Sequence, residues 1–469
     1  MNEYNIYQGV ILRRFLERFQ RITYHGVPIA KYIYYQLHRD FVAKSEGGRE
    51  KLPYWREEAA RLTESGIYSW SDEPYHYDPH PDGVILMRGG FGDLAAAYFP
   101  QERFFLLSPN QAEVDLIKTN RPDLTAHNVE NFYRDNPGAV RELTGQIAQI
   151  IQEQKDDPIL GSPDLLAWFQ GKIPEIVRGL DAVQSLFQRF TVSAALTISS
   201  FYWMDSALNL IARANRIPSF TLQHGIIGDS ALFAHIPVLA TKKLVWGRAT
   251  LEWYQKYGFP QSRVSVIGAP RYDIIFNRQW CGKTKLCQMA GIDSSQKILF
   301  YATGTDVKTN TSLIVEAVKH IPGLFLVLSL HPSETGYIDY YRQLIQGHPN
   351  CKVFRYGEIS LYDWLSGVDF FITHSSTAAF EAMLFKLPVI TVEATPPHFS
   401  FGEAGASLKV TSSAELQQVL SRLIGDESFR AAAINRYQNF ISHHCIQDGS
   451  ASNRLFEEIE AVCRTGGIA

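Results

Sequence analysis

Five short clusters hold the side chains best suited to chemistry. They are Gly89-Gly90-Phe91-Gly92-Asp93, Gln223-His224-Gly225, Gly268-Ala269-Pro270-Arg271-Tyr272-Asp273, His331-Pro332-Ser333-Glu334 and His374-Ser375-Ser376-Thr377. His224 stands between an apolar run and two glycines, Gly225 and Gly228. An imidazole there can take up a proton near neutral pH, and the glycines let a ligand approach the backbone. A plain turn is the alternative. Ser375, Ser376 and Thr377 open the helical segment TAAFEAMLFK, where unpaired N–H groups and hydroxyls suit a phosphate. Read one by one, the same residues are ordinary helix caps. Glu381, about a turn further on, could meet a ribose diol. His331 ends an apolar strand and could donate to a phosphate or a base carbonyl; Pro332 stops the ladder behind it. Arg271 suits a diphosphate, or else pairs with Asp273 at the surface.

These clusters matter because of the elements around them. From residue 83 onward, apolar strand-like runs alternate with amphipathic segments: 83–90, 103–109, 194–199, 219–223, 243–247 and 263–270 as strands, with 139–154, 207–216 and 249–258 as helices. A second series starts at 297–304 and continues through 324–332, DFFITHSS and PVITVEA. Such alternation predicts parallel sheets with helical crossovers, in which ligands bind beyond the carboxyl ends of the strands. The expected division is an N-terminal helical extension (1–80), a first α/β domain (81–278), a second α/β domain (279–440) and a helical C-terminal segment (441–469). The two α/β domains are expected to face a common cleft. A turn-rich patch, SDEPYHYDPHPDG, closes the extension.

Composition narrows the function classes. The chain has 469 residues, 45% hydrophobic and 20% charged, with a net charge of -3. Its length allows two or three domains, and no global field attracts nucleic acid. No apolar run is long enough to span a bilayer. Five scattered cysteines without a CxxC pair point to a reducing compartment, the cytoplasm. Over residues 1–64, 11 Lys and Arg face 8 Asp and Glu. Arg13, Arg14, Arg18 and Arg21 could meet the inner face of a membrane or an anionic acceptor; a solvated helix face docked on the body is the alternative. GxxxxGK[ST], HExxH, clustered Cys/His ligands and GxSxG are absent from the sequence, as is Asp-x-Asp at a strand end, so metal chemistry is not expected. The GGFGD loop is not a full dinucleotide fingerprint; it could approach an acceptor or simply form a loop.

Over about residues 82–440 the pattern resembles glycosyltransferases of the GT-B fold. It is similar more narrowly to bacterial capsule and surface-polysaccharide enzymes, namely CDP-glycerol glycerophosphotransferases and CMP-sugar-using sialyl and Kdo transferases. GAPRYD resembles the GSPRxD motif of the former, which places Arg271 and Asp273 at the domain junction. Their base histidine lies in QxxHG; this chain has Gln223-His224-Gly225, with a shorter spacing. SLHP resembles the KLHP motif, with Ser329 in place of lysine, and HSST resembles the SST motif. EAMLFKLPVI resembles E-A-x3-G-x-P, with Lys386-Leu387 where a glycine is usual.

The resemblance implies two Rossmann-like domains and metal-independent transfer from a nucleotide-activated donor, CMP- or CDP-linked, to a glycan or lipid-linked glycan hydroxyl. His224 and Arg271 would be catalytic. His331, Pro332, His374, Ser375, Ser376, Thr377 and Glu381 would bind the nucleotide, and Gly89, Gly90, Gly92, Asp93, Gln223 and Asp273 would lie on the acceptor side. A UDP-sugar 2-epimerase and an inactive nucleotide- or sugar-binding subunit are the alternatives.

Overall fold

The structure is a computed structural model, and it describes residues 3–43, 57, 76–78, 80–304, 308–319, 321–395, 397 and 399–465. Residues 71–75 and 79 of SDEPYHYDPHPDG, and most of the extension beyond residue 43, lie outside the described residues. The chain divides into two compact units: Met1–Gly268 with Ala451–Ala469, and Ala269–Ser450. The division thus falls after Gly268 rather than at 278, and Arg271, Tyr272 and Asp273 belong to the second unit. The last helix, Ala451–Thr465, belongs to the first unit rather than forming a segment of its own.

In the first unit, a small hairpin of β1 (Thr23–Tyr24) and β2 (Val27–Pro28) separates the helices Glu3–Phe19 and Ile29–Leu37. The main sheet contains β3 (Val84–Arg88), β4 (Phe104–Ser108), β5 (Ala126–Asn128), β6 (Val192–Thr197), β7 (Ser219–Leu222), β8 (Lys242–Val245) and β9 (Val264–Val266). Its order is β5-β4-β3-β6-β7-β8-β9, and all pairings are parallel. Alternation along the strands sends residues to two cores. Leu86 and Val245 join one core with the N-terminal helices and Pro163–Arg189, while Met87 and Leu244 meet Leu455 and Ile459 of the last helix. Val10, Ile11, Phe15 and Phe19 are part of the first of these cores. The N-terminal helices are therefore built into the first unit, not appended to it.

The arginines of this segment are largely occupied within the unit. Arg14 pairs with Asp157 at 2.9 Å, Arg21 with Glu153 at 2.5 Å and Arg13 with Glu17 at 2.8 Å. This is the docked-helix arrangement. No described helix is long and apolar enough to cross a membrane.

The second unit has β10 (Lys297–Ala302), β11 (Leu324–Ser329), β12 (Cys351–Phe354), β13 (Phe370–Thr373), β14 (Val389–Val392) and β15 (Leu408–Val410). All pairings are again parallel, in the order β12-β11-β10-β13-β14-β15. Both units are Rossmann-like. In each, the strand order reverses once, between β3 and β6 and between β10 and β13, which are the points where such sheets open for ligands.

Candidate functional site

In the second unit the switch point lies between Thr303, just past β10, and His374, just past β13. Thr373 Oγ1 donates to the Ala302 carbonyl at 3.1 Å and holds the two strand ends together. His374 Nδ1 is held between the Val392 carbonyl at 2.8 Å and the Asn310 amide nitrogen at 3.2 Å, which anchor the ring. At His331 the Ser333 backbone N–H approaches Nδ1 at 3.3 Å, and Ser333 Oγ lies at 2.7 Å. An N–H can only donate, so Nδ1 accepts and Nε2 carries the proton, ready to donate to phosphate or carbonyl oxygen. His331 is exposed, as is Pro332.

The loop carrying His331 is braced from beneath. Glu334 is buried and accepts from Thr303 Oγ1 and from Tyr341 OH at 2.8 Å, while Thr303 Oγ1 accepts from the His331 N–H at 2.9 Å. Glu393, at the end of β14, likewise accepts from Thr391 Oγ1 and Ser400 Oγ at 2.9 and 2.6 Å. Ser375, Ser376 and Thr377 are half-buried before the helix Ala378–Leu384. Ser376 Oγ accepts from the Ala378 N–H at 3.2 Å, while Thr377 opens the helix without a side-chain cap bond.

Arg271 and Glu381, assigned separate duties by the sequence reading, form one ion pair at 3.0 Å. Arg271 also bonds Tyr272 OH at 2.6 Å and lies over its ring, which stacks on Phe380. Glu381 is 8% exposed at its side chain and Arg271 40%. Burial raises the Glu381 carboxyl above its ordinary pKa, and Arg271 opposes the shift. Asp273 opens the helix Asp273–Asn277; the ion pair of Arg271 is with Glu381.

In the first unit, His224 follows β7. Its Nδ1 lies 3.1 Å from the Ile198 carbonyl, so the proton sits on Nδ1 and the lone pair on Nε2. In this tautomer Nε2 is the nitrogen that can accept a proton. Gln223 is a brace: Oε1 accepts from the Trp246 N–H at 2.9 Å, and Nε2 donates to the Gly225 carbonyl at 2.9 Å. The far end of the loop is held by Asp229, which accepts from Trp253 Nε1 and Tyr257 OH, both at 2.8 Å. Phe201 packs 5.9 Å from the His224 ring and His235 lies 6.3 Å away. Burial drives His235 down to about 3, helped by Lys243 and His224.

The glycine loop after β3 answers to packing. A Cβ on Gly89 would meet Ile117 Cδ1 and Ser108 Oγ at 2.5 Å, and one on Gly92 would meet Leu124 at 2.9 Å. Gly90 has open space, and Asp93 pairs with Arg121.

Three charged residues near the first switch point escaped the sequence reading. Arg88, ending β3, approaches Asp205 and Glu113 at 3.5 Å each and lies over Tyr202. Asp205 is fully buried and accepts from the Ser199 N–H and hydroxyl, both at 3.0 Å. Burial raises its carboxyl, against the pull of Arg88. Lys243 is 3% exposed in β8, and burial lowers its ammonium to about 7 while Asp205 pulls it up. A lysine inside the apolar run KLVWG was the one available signal.

No protein-family model matches this sequence, and neither does any curated protein. Solved structures do match in fold. The Staphylococcus aureus MnaA–UDP co-structure is 14% identical over 80% of this chain and 96% of that one, with a TM-score of 0.56. A UDP-GlcNAc 2-epimerase from Neisseria meningitidis bound to UDP-GlcNAc is 14% identical, covering 80% and 98%, at 0.54. A putative UDP-N-acetylglucosamine 2-epimerase from Listeria monocytogenes is 13% identical, covering 81% and 96%, at 0.55. The likeness spans both Rossmann-like domains, and the fold is of the GT-B type.

Proposed function

We propose that the protein is a metal-independent transferase that moves a group from a nucleotide-activated donor to a glycan hydroxyl, within bacterial surface-polysaccharide synthesis. The observation that carries this reading is the hydrogen bond from His224 Nδ1–H to the Ile198 carbonyl, which leaves Nε2 as the basic nitrogen at a strand end. His224 would take the proton of the acceptor hydroxyl as its oxygen attacks the donor. The bond to the nucleotide phosphate oxygen breaks, and its electron pair leaves on that phosphate. His331 Nε2–H and Arg271 would stabilise the charge left there, and one well-placed donor of this kind can lower a barrier by ~3 kcal/mol. The donor we propose is CMP- or CDP-linked, on the resemblance carried by GAPRYD, SLHP and HSST.

The names of the structural neighbours favour a second reading, isomerisation of a UDP-sugar at C2. The two differ in what they require. A transferase releases nucleotide in proportion to acceptor, whereas an epimerase changes the donor sugar with no acceptor present. Nucleotide release measured with and without a glycan acceptor, alongside NMR of the donor sugar, separates them. A C2 epimer formed without acceptor overturns the transferase.

A further inference from the structure

The first unit contains a cavity of about 560 Å³ that the sequence reading did not anticipate. It lies among the helix Ile29–Leu37, the helix Pro163–Arg189 and the loop after β6, and its aromatic walls are Tyr32, Tyr35, Tyr133, Phe201, Tyr202 and Trp203. The volume falls in the usual range of small-molecule sites, ~300–1,000 Å³. We propose that this cavity binds one neutral sugar ring, and that this ring belongs to the acceptor; the second clause rests on the transferase reading.

The argument starts from groups left without partners. Tyr32 is 4% exposed, and its hydroxyl has no hydrogen-bond partner among the described residues. The Tyr133 hydroxyl, the Trp203 indole N–H and the Gln36 amide also line the cavity without a described partner. Tyr32 lies at the cavity wall, where a ligand or water can answer its hydroxyl. Tyr32, Tyr35 and Gln36 share one helix face at i, i+3 and i+4, which brings them to the same space.

The cations at the cavity, by contrast, already have contacts. Lys172 pairs with Glu175 at 3.1 Å, Arg39 with Asp40 at 2.7 Å, and Arg178 lies over the Tyr133 ring while donating to the Pro174 carbonyl. What remains open is a set of hydroxyl, amide and indole groups between aromatic faces. A pyranose has the complementary surface: a C–H face for the rings and a rim of hydroxyls for the polar groups. An anion would find its cations engaged.

The cavity also adjoins the proposed base. Phe201 packs on Tyr35 at 5.0 Å and on His224 at 5.9 Å, so one ring separates the cavity wall from the imidazole.

The test is saturation-transfer NMR on the full chain without nucleotide. The probes are methyl β-glucopyranoside, methyl β-galactopyranoside and methyl N-acetyl-β-glucosaminide, with cytidine as a non-sugar control. At least one glycoside is expected to bind. Tyr32→Phe, which keeps the ring and drops the hydroxyl, should weaken it ~5-fold, and Gln36→Ala should do so by a similar factor. Failure of all three glycosides, equal binding to the variants, or displacement of the glycoside by cytidine would overturn the proposal. Glycoside binding with no nucleotide-dependent transfer would leave the sugar site standing and remove its acceptor role.

Discussion

His224 and His331 each end a parallel strand of a Rossmann-like sheet, yet their rings are set in opposite senses. His224 gives its Nδ1 proton to a backbone carbonyl and keeps a lone pair on Nε2. His331 receives a backbone N–H at Nδ1 and keeps its proton on Nε2. Two residues of the same type, each just past a strand but on opposite sides of the switch points of two similar sheets, thus hold their ring protons on opposite nitrogens. The partner of Nδ1, not the sequence motif, makes the difference.

The sharpest way to break this comparison is to remove each ring in turn. His224→Ala should lower transfer by ~10²–10⁴-fold while leaving nucleotide binding intact. Steady-state rates beside nucleotide titrations read both quantities. A loss of nucleotide binding in that variant would show the two rings share one duty.

Next in size is the buried charge that sets the first unit apart. Lys243 falls from 10.5 in the unfolded chain to about 7 when folded, by burial. Below pH 7 both states hold the proton and the burial cost is complete. Between pH 7 and 10.5 the unfolded chain binds more protons, so stability rises with pH. Lys243→Met should be more stable at pH 7 by ~2–4 kcal/mol and should lose that upward slope. Urea titrations from pH 6 to 10 give both results.

In the second unit the corresponding feature is the pair of Arg271 and Glu381. Arg271→Met strands a buried carboxylate. Removing one partner of a fully buried pair costs ~3–5 kcal/mol, and with Arg271 partly in water about 2 kcal/mol is expected. The double change Arg271→Met, Glu381→Gln should recover most of it.

Much of the architecture could be read from the sequence because period-two apolar runs and their helical crossovers are local patterns. Even the odd Lys386, standing where similar enzymes have glycine, proved informative: its φ of 59° lies in the left-handed region. Lys386→Gly should therefore stabilise by ~1 kcal/mol, the smallest of these effects. The second unit's cluster was legible for the same reason, since HP and HSST each sit in one stretch. The cavity of the first unit was not, because Tyr32, Tyr133 and Trp203 meet only after three distant segments pack. The helix Pro163–Arg189 that forms one wall has Pro174 in its interior, where sequence logic expects a break. The pairing of Arg271 with Glu381 escaped as well, since 110 positions separate them. The domain boundary at 278 misplaced Arg271 for the same reason.

The central claim is that the second unit holds a nucleotide through the Nε2–H of His331. Thermal unfolding with CMP, CDP, UMP, UDP and GDP, on the wild type and on His331→Ala, tests it most directly. A ligand at 100 times its dissociation constant stabilises the native state by ~2.7 kcal/mol, enough for a clear shift. The account predicts a shift with the cytidine nucleotides that His331→Ala loses. A shift with uridine or guanosine nucleotides alone would contradict the proposed donor, and no shift with any of the five would contradict the nucleotide site itself.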